Sequence, residues 1–163
     1  MHLDEAMPVW QFNEVHSRRI AAPPAKVYEA IKQVRADEIL LFRTLTWIRR
    51  GGRKLPEGIL NAGVDRPLLE VATSTTFRYL ADDPPHEAVI GTCVARGTTA
   101  AMNFLVLPDG DGSLVTTETR VFADNAAARR RFALYWSVIH PGSAFIRRMW
   151  LRAIDRRATG KTT

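Results

Sequence analysis

The sequence predicts an α+β domain: an antiparallel β-sheet packed on one long C-terminal α-helix, with two short helices after the first strand. Three observations predict it. The elements run strand, helix, helix, a block of strands, then a helix, which is not the alternation of βαβ units. The strands of the block are separated by turn-forming stretches, "DDPPH" and "PDGDGS", as in hairpins. The C-terminal stretch carries large apolar side chains at helical spacing: Phe132, Tyr135, Trp136 and Ile139, then Phe145, Ile146, Met149, Trp150, Ala153 and Ile154. A stripe of this kind has to be buried against another element.

Each element has a local reason. Residues 12–21, "FNEVHSRRIA", alternate as a strand flecked with polar groups. Pro23 and Pro24 then suit a helix start, where a missing N–H costs little, and Val27, Ala30, Ile31 and Val34 form its apolar side. "RADEILLFRTLTWIRR" reads as a second helix, with acids at its start, Arg49 and Arg50 at its end, and Gly51–Gly52 to stop it. Residues 51–67 lack periodicity and read as a loop; residues 67–73 read as a short helix. Residues 74–95 read as a first hairpin, and "TTAAMNFLVL", "PDGDGS" and "LVTTETRVF" as a second. "VARGTTAA" between them leaves room for a bend or a short extra strand. The last helix begins at Asp124 or Asn125, either a good N-cap. Pro141 is expected to kink or break it, and Ser143 to cap a restarted helix.

Composition bounds the function. The 163 residues fit a single domain, 1–163, with 1–10 and 159–163 expected to fray. One cysteine, Cys93, excludes an internal disulfide and reads as a small buried apolar residue on a strand. No apolar run reaches the roughly 18 residues of a membrane span, and "MHLDEAMPVW" puts acids where a signal peptide has bases, so the expectation is a cytoplasmic protein. The four histidines and Cys93 show no metal-ligand spacing, and no P-loop, GxGxxG or GxSxG occurs; no metal and no cofactor are expected. From Arg129 onward nine Lys/Arg face one acid, Asp155. Arg147, Arg148, Arg152, Arg156 and Arg157 mostly fall off the apolar stripe and read as a solvated face. Of Arg129, Arg130 and Arg131, one should turn toward the sheet and pair with Glu118 or Asp124.

The strand "LVTTETRVF" holds the main candidates. Leu114, Thr116, Glu118, Arg120 and Phe122 share one face, and Val115, Thr117, Thr119 and Val121 the other. Glu118 and Arg120 have three open roles: a surface ion pair, a polar pair gripping a ligand from the concave face, or an anchor for the C-terminal helix or the arginine run. Asn103, mid-strand, must be hydrogen-bonded if it faces inward. Phe42, Trp47, Phe77, Tyr79, Tyr135, Trp136 and Ile139 complete the set of pocket candidates, because ligand sites are mostly apolar with a few polar groups.

The element order and three stretches, "EVHSRRIAAPPAKVYEAI", "FRYLADDPPHEAVIG" and "TTETRVFADNAAARRRFALYWSVIHPGSAFIRRMWLRAIDRRA", resemble a bacterial branch of the START-like, or SRPBCC, helix-grip superfamily, which includes polyketide cyclase-like proteins, aromatase/cyclases and lipid carriers. The resemblance implies a cavity between sheet and C-terminal helix and a hydrophobic small molecule as partner. It also implies six or seven strands where five are legible. The leading functional reading is binding of an apolar or amphipathic small molecule with no defined reaction. A cyclase- or hydrolase-like enzyme using Glu118, Arg120 and Tyr135 is the alternative. Nucleic acid or an anionic surface against the basic helix ranks last, since the arginines are interleaved with a core stripe. The expected state is a monomer, or a homodimer through Met149 and Trp150.

Overall fold

The computed structural model describes residues 1–54 and 56–160. Ten elements follow one another: α1 (His2–Ala6), β1 (Phe12–Ile20), α2 (Pro24–Gln33), α3 (Phe42–Arg49), α4 (Leu68–Thr75), β2 (Arg78–Asp83), β3 (Glu87–Ala95), β4 (Thr98–Asp109), β5 (Gly112–Ala123) and α5 (Ala126–Thr159), with short 3₁₀ turns at Ala36–Glu38 and Ile59–Asn61. The five strands form one antiparallel sheet in the order β1-β5-β4-β3-β2. The first strand thus closes onto the last, and α5 leaves β5 to lie across the sheet.

The turns follow from their residues. Gly110 takes φ +58° between β4 and β5, so those strands run closer to their tip than "PDGDGS" suggested. "VARGTTAA" holds no extra strand: Gly97, at φ +72°, turns β3 directly into β4, with a register shift between Cys93 and Ala95. The helix expected over 35–50 is divided. Leu41 sits at φ +57° and caps α3, so only Phe42–Arg49 is α-helical and Leu40 and Leu41 are left exposed.

The main core lies between the inner face of the sheet and α2, α4 and the C-terminal half of α5. Val27, Ile31, Leu68, Val71, Phe104, Val106, Val115, Trp150 and Ile154 are buried in it. Phe104 and Trp150 meet edge to face, ring centroids 5.0 Å apart, which adds about 0.5–1.5 kcal/mol to their burial. Trp150 and Met149, 2% and 7% exposed, are core residues and present no face to a second copy.

Helix α5 runs unbroken for 34 residues, from its Asn125 cap, whose Oδ1 accepts from Ala128 N at 2.9 Å, to Gly160 at φ +67°. Pro141 neither breaks nor restarts it. Proline removes only the backbone bond to Ser137, and thirty-odd neighbouring residues keep theirs. Ser143 is an interior residue. Arg129, Arg130 and Arg131 are all exposed, and it is Ala128 and Phe132 that turn toward the sheet instead. The C-terminal arginines are less solvated than their spacing suggested: Arg157 pairs with Glu38 (2.6 Å), Arg156 donates to the Glu38 carbonyl (2.7 Å) and Arg18 of β1 pairs with Asp155 (2.6 Å).

The N-terminus also departs from expectation. Residues 2–6 form a helix docked on the outer face of the sheet, where Leu3 and Met7 join Val89 and Ala101 in a second, smaller core. The buried Glu87 carboxylate accepts from His2 N (2.7 Å), Leu3 N (3.3 Å) and Asn103 Nδ2 (2.6 Å), so β3 supplies the cap that α1 lacks in its own sequence. At the other end, Thr159 lies within α5, and 161–163 are outside the described residues.

Candidate functional site

Strand register sets out the inner face in rows. Phe12 pairs with Val121 and Val121 with Ala100; one step along, Glu14 pairs with Thr119 and Thr119 with Met102. The N-terminal half of α5 passes over these rows without descending into them. Its buried residues are Ala128 and Phe132 at one end and Met149, Trp150, Leu151, Ala153, Ile154 and Asp155 at the other. Between them lies a cavity of about 470 Å³, floored by Ala100, Met102, Thr119 and Val121, roofed by Phe132, Tyr135, Trp136, Ile139, Ser143 and Ile146, and closed at the sides by Phe42, Phe77 and the loop of Pro56–Asn61. Phe12, Phe132 and Trp136 form an aromatic cluster at the first rows, with centroids 5.1–6.2 Å apart. A second hollow of about 490 Å³, between α3 and Leu60–Ala62, is bounded by Arg43, Thr44, Trp47 and Arg50; neither the sheet nor α5 lines it.

Of the residues singled out in the sequence, Phe42, Phe77, Tyr135, Trp136 and Ile139 line the cavity beneath α5. Trp47 lies on the second hollow and is half exposed. Tyr79 is on the edge strand β2, where its hydroxyl accepts from Lys32 Nζ at 2.9 Å. Asn103 is buried but belongs to the outer face. Its Oδ1 accepts from Glu118 N (2.9 Å) at an interruption of the β4–β5 ladder, while its amide holds Glu87. Cys93 is exposed, at the shift in β3.

Glu118 and Arg120 are on the outer face as well. Arg120, 4% exposed, donates from Nε to Glu118 Oε1 (2.8 Å), from Nη2 to Asp4 Oδ1 (2.7 Å) and from Nη1 to the Met7 carbonyl (3.0 Å), and its guanidinium lies 3.9 Å from the Trp10 ring centroid. Burial works against the Arg120 charge, and the bonds to Glu118 and Asp4 outweigh it, raising its pKa. The pair therefore anchors α1, not the C-terminal helix or the arginine run. Among the described residues no hydrogen bond or ion pair brings it to the cavity.

Apart from the Tyr135 hydroxyl, the main polar groups of the cavity come from residues the sequence did not flag as pocket candidates. Arg147 of α5 lines it, donating from Nη2 to Thr119 Oγ1 (2.7 Å) and to Met102 Sδ (3.0 Å), and more weakly from Nη1 to Thr117 Oγ1 (3.4 Å). All are neutral acceptors. Burial pushes its guanidinium down to about 10; Glu14 opposes the shift and Arg49 adds to it, and it stays a cation at neutral pH. Arg49, at the cavity wall, donates from Nε to the Tyr135 hydroxyl at 2.7 Å. Glu14, beside Thr119 on β1, is 6% exposed: its Oε1 lies 2.6 Å from His16 Nε2, and its Oε2 has no hydrogen-bond partner, with His140 Nε2 4.0 Å away. A sequence signal for Arg147 existed. Trp136, His140, Ser143, Arg147, Trp150 and Ile154 recur at alternating steps of four and three, the spacing of a single helix seam.

No family model and no curated protein matches the chain. Solved structures do. The protein MLL2253 from Mesorhizobium loti superposes with a TM-score of 0.50, covering 93% of this chain and 100% of its own at 13% identity. CalU16 from Micromonospora echinospora gives 0.38 over 91% and 84% at 16% identity, and Ara h 8.0201 gives 0.45 over 92% and 99% at 11%. The chain has the START-like helix-grip fold. In this helix grip the sheet has five strands, and among the described residues no helix is long and apolar enough to cross a membrane.

Proposed function

We propose that this helix-grip protein binds an apolar or amphipathic small molecule in the cavity between the sheet and α5. The observation that carries the reading is the cavity itself: about 470 Å³, within the roughly 300–1,000 Å³ of ligand pockets, with a mostly apolar lining and few polar groups. A helix packed flat on the sheet would have left no such space. The fold is consistent with this use but does not choose a ligand, because one fold hosts many functions. The enzyme reading through Glu118 and Arg120 loses its basis, since both lie on the opposite face of the sheet from the cavity.

The test uses Nile red, a neutral dye whose fluorescence rises in apolar surroundings, alongside native mass spectrometry of the purified protein. Saturable dye binding is expected, and Ile139→Trp, which fills the cavity from α5, should abolish it while the protein still melts cooperatively. Dye binding that is absent, or is unaffected by Ile139→Trp, would count against the cavity as the site.

A further inference from the structure

We propose that the cavity selects a monocarboxylate with an apolar body, the carboxylate pairing with Arg147 and drawn in by Arg49. This rests on the cavity reading above and names the ligand's polar end. Arg147 reaches the cavity from the middle of α5 and is held by two threonine hydroxyls and a thioether. It takes part in none of the ion pairs of the described residues, whereas Arg18, Arg19, Arg35, Arg66, Arg120 and Arg157 all do. A partly buried guanidinium that meets no carboxylate is costly, and donors remain to it beyond the bonds to Thr119, Met102 and Thr117. Thr119 and Thr117 hold the fork in place over the second row of the sheet, in a cavity whose lining is mostly apolar.

The charge count sets the valence. Arg147 and Arg49 both border the cavity, and the carboxylate acting on Arg147 is that of the buried Glu14, whose Oε1 is occupied by His16. Glu57, on the cavity rim, is paired with Arg66 at 3.3 Å. Two cations against one anion leave a single positive charge, which matches a monoanion; a phosphate dianion would be repelled by Glu14 beside Thr119. No proton or bond needs to move: the ligand enters as the carboxylate and exchanges water for Arg147.

Decanoate, 1-decanol and decyl phosphate share one tail, so competition against Nile red isolates the polar end. Decanoate is expected to bind at least about tenfold more tightly than 1-decanol, as befits a hydrogen bond to a charged group, and more tightly than decyl phosphate. Arg147→Met should erase that preference and leave 1-decanol unchanged; Arg147→Lys should keep part of it. Methionine replaces a buried cation by an apolar chain of similar length, so folding should survive, which thermal unfolding checks. Arg49→Met, at an exposed position, is the second variant and should reduce the preference by a smaller factor. Equal affinity for decanoate and 1-decanol, with Nile red bound and excluded by Ile139→Trp, overturns the inference and leaves the cavity reading intact. Tighter binding of decyl phosphate overturns the monoanion assignment. Failure of Nile red to bind at all overturns the cavity reading and the inference with it.

Discussion

Replacing Arg120 with methionine separates the two faces of the sheet. The substitution keeps the aliphatic stem and removes the charge. Lost are the bonds to Glu118 and Asp4, the bond to the Met7 carbonyl and the stack on Trp10. A hydrogen bond to a charged group is worth about 1.5–3 kcal/mol singly, but these are not additive, and Asp4, 54% exposed, regains water once released. The loss is also capped, because the segment Arg120 holds can detach alone. Its docking buries Leu3 completely and Met7 nearly so, each worth about 1.5–3 kcal/mol. We therefore expect a loss of about 2–4 kcal/mol, felt first as local opening. Amide exchange of residues 3–7 should accelerate by about 30- to 1,000-fold, roughly the same free energy read kinetically. Trp10 fluorescence should shift toward that of exposed indole. Nile red affinity should be unchanged. An Arg120→Met protein with native stability but a tenfold loss of dye or decanoate affinity would refute the assignment of this arginine to the outer face.

Other substitutions test the frame around the cavity. Burial pushes the Glu38 carboxyl up, but the bonds from Arg157 and from the Arg35 amide outweigh it and hold its pKa below the usual value. Its folded pKa being depressed, the stability it contributes, about 1 kcal/mol, is complete above the unfolded value and lost as pH falls through the folded one. The difference between wild type and Glu38→Gln in urea unfolding should therefore be flat at neutral pH and close below about pH 4. Gly112→Ala would place a methyl 2.4 Å from the Ile20 carbonyl oxygen, so it should cost about 1–3 kcal/mol in thermal or urea unfolding. Phe104→Ala, removing a ring 1% exposed against Trp150, should cost about 3–5 kcal/mol and can be followed by the Trp fluorescence of the folded state.

Long, periodic elements were legible in the sequence, and parity was not. The stripe from Phe132 to Ile154 announced α5, and the two hairpins announced the β2–β3 and β4–β5 pairings, while the β1–β5 and β3–β4 pairings carried no local signal. The face of β5 stayed ambiguous because both of its faces are half polar. Val115, Thr117, Thr119 and Val121 line core and cavity, while Glu118 and Arg120 lie under α1. Only the covering of the outer face by the N-terminal segment makes both sides partly buried, and that contact spans more than a hundred residues of sequence. The helix itself left a trace, Leu3 and Met7 four apart, too short to weigh against five polar or small neighbours. Arg147 was hidden for the opposite reason. An arginine on a helix is solvated far more often than buried, so its place on the seam of Trp136 and Trp150 was outweighed by its type.

Helix α5 can also be viewed as a beam. It is seated at Ala128 and Phe132, clamped again from Met149 onward, and between those supports it carries no fully buried residue over about 24 Å. Pro141, which lacks the amide that would bond to Ser137, lies near midspan, where a beam bends most. The empty stretch is therefore the compliant part of an otherwise stiff molecule. A guest in the cavity would act as a strut beneath it, and amide protection across residues 133–148 should rise on occupancy even though the guest meets only side chains.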